Sequence, residues 1–526
     1  MDFLRSSAST FVAARAAASA GDPRRAAILY ASLASDPEAN RFVGERALGQ
    51  AILAGDMPLA LRLARAQPGE TLGVDARMLL AADALRSGKG AALVERGLPT
   101  ELRFLEPFLK AWTLAERGRW RDGVAVLDAI GRDNMLAGLA PEHKALILLA
   151  AGRTSEAKPL LEPAIAAARG RSNRLRIAFA AGLAAKGERD AGMALLGGRD
   201  VTLHNAAASL AAERRPRPLI TTAAQGLSEL LTALVLNLDE DEEPALPLAL
   251  TQVARFADPA NEQAVLLLGV LLERSGRFDD AIMLQRTLAE RSPFIDEARD
   301  GEIRTLLAAG RKDEALARAK AFVAEDGQQP SDWLRLGDVL DAMKRHEEAA
   351  VAYGGAVQVM AAGAAGPEPW TVHLLRGAAL EQAGKWPQAE SALELAYRMA
   401  PENPTVLNYL GYARLERGEK LAEAEAMIAE ASRRAPNDAS ITDSLGWAQF
   451  KRGKVTEAIA TLQRAAAAEP GLSEIHEHLG DALYTAGRKY EARFAWAAAL
   501  VSAEDDVSAR VSAKIGAGLT PATAAP

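Results

Sequence analysis

The chain has 526 residues, 49% hydrophobic but only 5% aromatic, with 62 Lys and Arg against 69 Asp and Glu, a formal net charge of 62 − 69 = −7. That acidic balance sets aside nucleic acid and an anionic membrane surface as principal partners, because both are bound through concentrated positive charge. There is no cysteine, which excludes disulfides, thiolate catalysis, cysteine-ligated zinc and lipid attachment through cysteine.

Much of the apolar share is alanine, the best helix former, and runs of β-branched and aromatic residues are scarce. The length exceeds what one compact core uses, and an array of units that pack on their neighbours is the economical alternative. No run approaches the roughly 18 apolar residues that a spanning helix needs, so no membrane span is expected.

At the start, Arg5 and Arg15 bracket a small, polar stretch. It lacks the basic start and unbroken apolar core of an export signal, so it reads as the first helix of the array. A cytoplasmic location is the expectation, with the periplasm the alternative should an export signal be hidden. Gly21 and Gly55 are 34 residues apart, as are Ala26 and Ala60, and Gly118 and Gly152, while Gly88 and Gly187 fall close to the same grid. Residues 1–199 therefore read as degenerate helical repeats. The grid breaks over 200–259, where Arg214-Arg215-Pro216-Arg217-Pro218 reads as a connection. An atypical helix is expected over about Thr221–Leu238, followed by the acidic run Asp239–Glu243 as a solvated loop.

From 260 the period returns and sharpens towards 505. Gly276 and Gly310 are 34 apart; Gly377, Gly411, Gly446 and Gly480 follow at 34, 35 and 34, and so do Gly384, Gly418, Gly453 and Gly487. Pro401, Pro436 and Pro470 keep the same step. A glycine inside a helix costs about 1 kcal/mol against alanine, so it survives only where another group must pass close by. The second glycine of each unit ends that helix and permits a tight turn. Ala389, Leu393 and Ala396 then line one face of a second helix, which the proline closes. After Lys514 the small, Pro-containing sequence reads as a partly disordered tail, taken as 506–526.

These positions resemble the tetratricopeptide repeat (TPR). Its signature is carried by Trp333, Gly337, Gly377, Ala389, Gly411, Gly446, Ala458, Gly480 and Ala492, with five helix pairs between Ser331 and Leu500. A single insertion near Glu419–Ala424 accounts for the step of 35. The resemblance implies an all-α superhelical solenoid of antiparallel helix pairs. Its concave wall would be lined by the first helix of each pair.

Groups able to do chemistry are sparse. His476 and His478 are two residues apart, about 200° around a helix, whereas zinc-protease histidines need a spacing of four. Gly88-Lys89-Gly90 and Gly354-Gly355 lack the strand–loop–helix setting of a phosphate loop. No catalytic residue, metal site or cofactor is expected.

By the TPR resemblance, the groove positions are Asn408, Tyr412, Asp443, Trp447, Glu477, Asp481 and Tyr484. This set is acidic and aromatic, unlike the Lys, Arg and Asn that grip a terminal carboxylate. It suits a protein or peptide segment with apolar anchors and some positive charge. Trp447 is balanced between groove exposure and packing between helices.

The blocks Asn408–Tyr412, Asp443–Trp447 and Glu474–Gly480, with Trp496 after them, further resemble proteobacterial TPR lipoproteins that act as adaptors for a carboxyl-terminal processing protease. The lipid-attachment cysteine of that family is missing here. The resemblance implies a non-enzymatic scaffold that presents substrates to a protease. The alternatives are a cytoplasmic assembly or regulatory protein in envelope or polysaccharide biogenesis, and an enzyme with a cryptic site near 200–259.

Overall fold

The computed structural model describes residues 7–34, 37–238, 245–325, 329–503 and 505–525. Helices and short 3-10 turns make up all the regular structure there, with no strand among the described residues. The acidic run Asp239–Glu243 lies outside them. The chain divides into two compact units, Met1–Phe322 and Val323–Pro526.

The first unit opens with the helix Ser7–Ser19, and helix pairs follow on the expected grid. Gly21, Gly55, Gly88, Gly118, Gly152, Gly187, Gly276 and Gly310 all close their helices at positive φ, between 72° and 86°. The stretch where the grid breaks is the centre of this unit. Its helix Ala223–Leu236 corresponds to the atypical helix expected there, starts from a capping box at Thr222 and Gln225, and buries nearly every residue. It packs on the helices Val74–Arg86 and Glu106–Glu116. A Cβ at Gly226 would lie 2.5 Å from the Trp112 ring, so glycine admits the fully buried indole.

The next helix, Ala245–Ala257, packs on Pro37–Ala54 and Val74–Arg86. Arg277 then donates to the Leu53 carbonyl at 2.8 Å, across 224 residues of sequence. These contacts close the early helices of the first unit onto its later ones.

Charges buried in that closure are paired. The Arg171 guanidinium meets both oxygens of Glu142 at 2.8 and 2.6 Å, and Arg174 donates to Glu229 at 2.8 and 3.1 Å. Beside them Trp112 Nε1 donates to His143 Nδ1 at 2.9 Å. Burial, reinforced by the Arg171 charge, pushes His143 down to about 3, so its imidazole is neutral and free to accept.

The second unit holds five helix pairs, repeats I to V. Their first and second helices are Pro330–Ala342 with His346–Ala361, Pro369–Gln382 with Trp386–Met399, Pro404–Glu416 with Leu421–Arg434, Ala439–Lys451 with Val455–Ala468, and Ser473–Thr485 with Lys489–Ala499. One contact recurs. A Cβ at the in-helix glycine would fall 2.4 Å from Tyr353 at Gly337, 2.6 Å from Leu393 at Gly377, 2.6 Å from Leu462 at Gly446 and 2.3 Å from Trp496 at Gly480. Each partner stands sixteen positions on (353 − 337 = 16), and in repeat III it is Ile428, seventeen on (428 − 411 = 17) because of the insertion. Ala389, Ala458 and Ala492 of the second helices are fully buried. The Trp333 ring lies against Gly355, which explains that glycine as a close helix contact.

The insertion is absorbed at Lys420, in left-handed conformation with φ 46°. Its ammonium meets Glu390 at 2.9 Å, beside the buried Arg414 that also holds Glu390, Glu394 and Glu423.

The tail expected from residue 506 is corrected in its first half. A further helix runs Asp505–Ala517, because Val511 and Lys514 have somewhere to be buried. Lys514 Nζ sits 2.6 Å from Glu477 Oε1 and 2.8 Å from both oxygens of Asp481, while Arg510 makes two 2.8 Å bonds to Glu477.

Candidate functional site

The first helices of repeats II to V present one wall, and a cavity of about 680 Å³ opens on it. Glu381 and Gln382 come from repeat II, Asn408, Tyr409, Tyr412, Glu416 and Arg417 from repeat III, Asp443 and Ser444 from repeat IV, and Leu472 and Glu474 from the start of repeat V. Regular spacing explains the convergence, since positions three or four apart share a helix face and each helix repeats its neighbour's register.

The lining is rich in acceptors. Four carboxylates, Glu381, Glu416, Asp443 and Glu474, face one guanidinium, Arg417, which is tied to Glu381 at 2.6 Å and stacks 4.1 Å over the Trp386 ring. Two buried oxygens in the lining, Asn408 Oδ1 and Asp443 Oδ1, have no hydrogen-bond partner. The Tyr409 and Tyr412 rings form apolar walls, and their hydroxyls bond Glu381 and Glu474 respectively. Burial first, and then the surrounding carboxylates, drive both phenols well above their usual range, so both stay protonated.

Beneath the cavity, Asp443 Oδ2 and His478 Nδ1 are 2.9 Å apart, and the His478 ring stacks on Trp447 at 4.1 Å between centroids. Burial pulls the imidazole down. The charge and hydrogen bond of Asp443, helped by Glu474 and Asp481, outweigh it and raise His478 above its ordinary value. Asp443, Glu474 and His478 bring one possible ligand atom each within 4.8 Å of one another. The His478 Nδ1 in this group is engaged by the Asp443 carboxylate. His476 points elsewhere, to the Pro470 carbonyl at 3.0 Å.

Of the seven residues expected in the groove, Asn408, Tyr412 and Asp443 line the cavity. Trp447, Glu477 and Asp481 are buried and are corrected to packing positions. Glu477 and Asp481 hold Lys514, and Trp447 packs under His478 and Phe450. Tyr484 is half-buried against Trp496, at 5.4 Å between centroids. The sequence reading missed Glu381, Tyr409, Glu416 and Glu474, which lie within two turns of the same in-helix glycines.

The first unit has its own cavity, about 600 Å³, with Arg15 and Arg46 against Asp75 and with Tyr30 and Leu246 in its wall. No helix among the described residues is long and apolar enough to cross a membrane.

The tetratricopeptide-repeat family model matches residues 301–368, 374–439 and 444–509. No curated protein sequence matches the chain. Among solved structures it is similar to the APC/C hetero-tetramer Cut9-Hcn1, at 16% identity over 98% of this chain and 97% of that one, with a TM-score of 0.40. Yeast Tom70 is 12% identical over 80% and 96% of the two chains, with a TM-score of 0.39. A thermophilic TPR protein of Thermus thermophilus, TTC0263, is 28% identical over 36% and 99%, with a TM-score of 0.29.

Proposed function

We propose, from the tetratricopeptide repeats that occupy most of residues 301–509, that this chain is a non-enzymatic scaffold whose second unit holds a positively charged segment of a partner protein. The observation that carries the reading is the cavity of repeats II to V. It has four carboxylates to one guanidinium, and two buried acceptor oxygens without partners. A lysine or arginine side chain supplies the missing donors and charge, and the two tyrosine rings receive its aliphatic stem.

Presentation of a substrate to a carboxyl-terminal processing protease is the specific service we propose, because the cavity is built from the repeat blocks that resemble those adaptors. Cytoplasmic residence goes instead with the alternative, an assembly or regulatory protein of envelope or polysaccharide biogenesis, and cell fractionation separates the two.

The binding test is titration of labelled peptides bearing Lys or Arg between apolar residues, with Asp- and Glu-bearing versions as controls. Binding should weaken as salt is raised. A Glu416→Gln, Glu474→Gln double variant, which leaves the His478–Asp443 pair intact, should lose about tenfold in affinity, roughly 1.4 kcal/mol. Equal binding of the acidic peptides, or an unaffected double variant, contradicts the reading.

A further inference from the structure

The strip that leads from the cavity towards the end of the array is already occupied by the chain itself. In repeats III, IV and V the residue after the in-helix glycine is Tyr412, Trp447 and Asp481. Tyr412 lines the open cavity. The segment Gly518–Ala525 lies on the other two. Gly518 turns the chain at φ 87° after the helix Asp505–Ala517, so close to Tyr484 that a Cβ there would lie 2.2 Å from the Tyr484 hydroxyl oxygen. A local turn follows, with the Ala524 amide bonding the Thr520 carbonyl at 2.9 Å. Ala525 then donates its backbone N–H to Asp481 Oδ2 at 2.9 Å, and its methyl packs in one cluster with Trp447, only 4% exposed.

We infer that Gly518–Ala525 is a built-in occupant of a peptide-binding strip. A partner's small-residue segment that can adopt the same turn takes the same strip by displacing it. The contacts that hold it are ones a bound peptide can offer: a main-chain N–H for a buried carboxylate, a methyl-sized side chain for an indole, and the Leu519 side chain against the cluster around Trp496. Six of the eight residues are Gly, Thr or Ala, so nothing in the segment builds a core of its own. The anchoring helix does not depend on it, since Lys514 and Arg510 are held by Glu477 and Asp481 independently. This inference rests on the proposal that the repeats bind protein, because a partner crossing from the cavity at Tyr412 towards Asp481 meets this segment first.

The test uses a labelled peptide of the sequence Gly518–Ala525 and three forms of the protein: the whole chain, the chain ended after Ala517, and the whole chain with Ala525→Glu, which sets a carboxylate beside Asp481. A tethered segment acts at an effective concentration of about 1 mM. A peptide that binds the shortened chain with a dissociation constant of about 100 µM should therefore bind the whole chain about tenfold more weakly. The Ala525→Glu chain should bind the peptide as the shortened one does, and a peptide carrying Ala525→Glu should bind neither.

Should the shortened chain melt differently from the whole one, the Ala525→Glu chain decides. Absence of saturable binding to the opened forms, or equal binding to open and whole forms, overturns the inference. The lysine-bearing peptides are run in parallel on all three forms. If they still bind while the tail peptide does not, only the occupied strip is refuted. If the tail peptide binds and they do not, the proposal for the cavity falls instead.

Discussion

Alanine in place of Gly480 adds one carbon at the tightest of the recurring contacts. The new Cβ would stand 2.3 Å from Cδ1 and Nε1 of Trp496, whose indole is fully buried and donates to Asp481 Oδ1 at 2.9 Å. Helix propensity returns about 1 kcal/mol to the variant. Overpacking at such a distance costs about 3 kcal/mol, because the ring is fully buried among its neighbours. If the ring moves, the buried bond to Asp481 is lost as well, at about 1 kcal/mol or more. The sum is a loss of about 3 kcal/mol, or roughly 6–12 °C in the melting of a unit this size.

Two comparisons calibrate the figure. At Gly446 the obstacle is the Leu462 side chain at 2.6 Å, which is smaller and makes no hydrogen bond, so alanine there should cost about 1 kcal/mol. At Gly49, inside the helix Pro37–Ala54, nothing lies within 4 Å of the added carbon, and alanine should stabilise by about 1 kcal/mol. Thermal and urea melts followed by circular dichroism rank the three. If Gly480→Ala proves as benign as Gly49→Ala, the recurring contact does not hold the repeats together and the reasoning fails.

Further outcomes concern turns and histidines. Lys344 stands where the other repeats carry a turn glycine and is held at φ 59°, so Lys344→Gly should raise the urea midpoint by about 1 kcal/mol of stability; a fall would contradict this. His143 has its folded value depressed to about 3 from 6.5, so the stability it contributes is present above 6.5 and lost as pH falls towards 3. Between pH 6.5 and 5 that is about 2 kcal/mol, and His143→Asn should flatten this part of the first unit's pH profile. His478 is the reverse case. Its folded value is raised, so its contribution is complete below 6.5 and disappears as pH climbs through that higher value. A nuclear magnetic resonance titration of the ring should show it protonated above 6.5, and His478→Gln should remove the alkaline loss. Trp447→Ala, at a buried indole, should lower melting by several degrees, where an exposed groove tryptophan would alter binding alone.

The second unit was legible because each repeat solves the same packing problem at the same distance along the chain. A glycine faces a large side chain sixteen residues later, and the eye needs only the period. In the first unit the same step survives at Gly269 and Gln285 (285 − 269 = 16), but the tighter contact of Gly226 with Trp112 spans 226 − 112 = 114 residues, and no local pattern marks it. The paired charges Arg174 and Glu229 are 229 − 174 = 55 residues apart, so the buried network around His143 left no trace. Asn408, Tyr412 and Asp443, expected in a groove from the TPR resemblance, do line the cavity. Glu381, Glu416 and Glu474 were missed because the concave face was read one turn too narrowly. Glu477 and Asp481 were expected in the groove, and Trp447 was balanced between groove and core, because the sequence from 506 gave no hint that a helix carrying Arg510 and Lys514, and then Ala525, would return to cover them.

The two halves of the chain differ in what they would survive. In the second unit the surface a repeat offers to the one before it matches the surface it offers to the one after, so excision of a whole period, such as residues 404–438, rejoins compatible faces and shortens the protein without disturbing the rest. Such a chain can change length by duplication and loss, and its cavity can be respaced one helix pair at a time. The first unit permits no such editing: its central helix Ala223–Leu236 touches Val74–Arg86 and Glu106–Glu116, more than a hundred residues before it, as well as Ala245–Ala257 and Glu262–Arg274 after it, so removing one repeat takes away part of its packing.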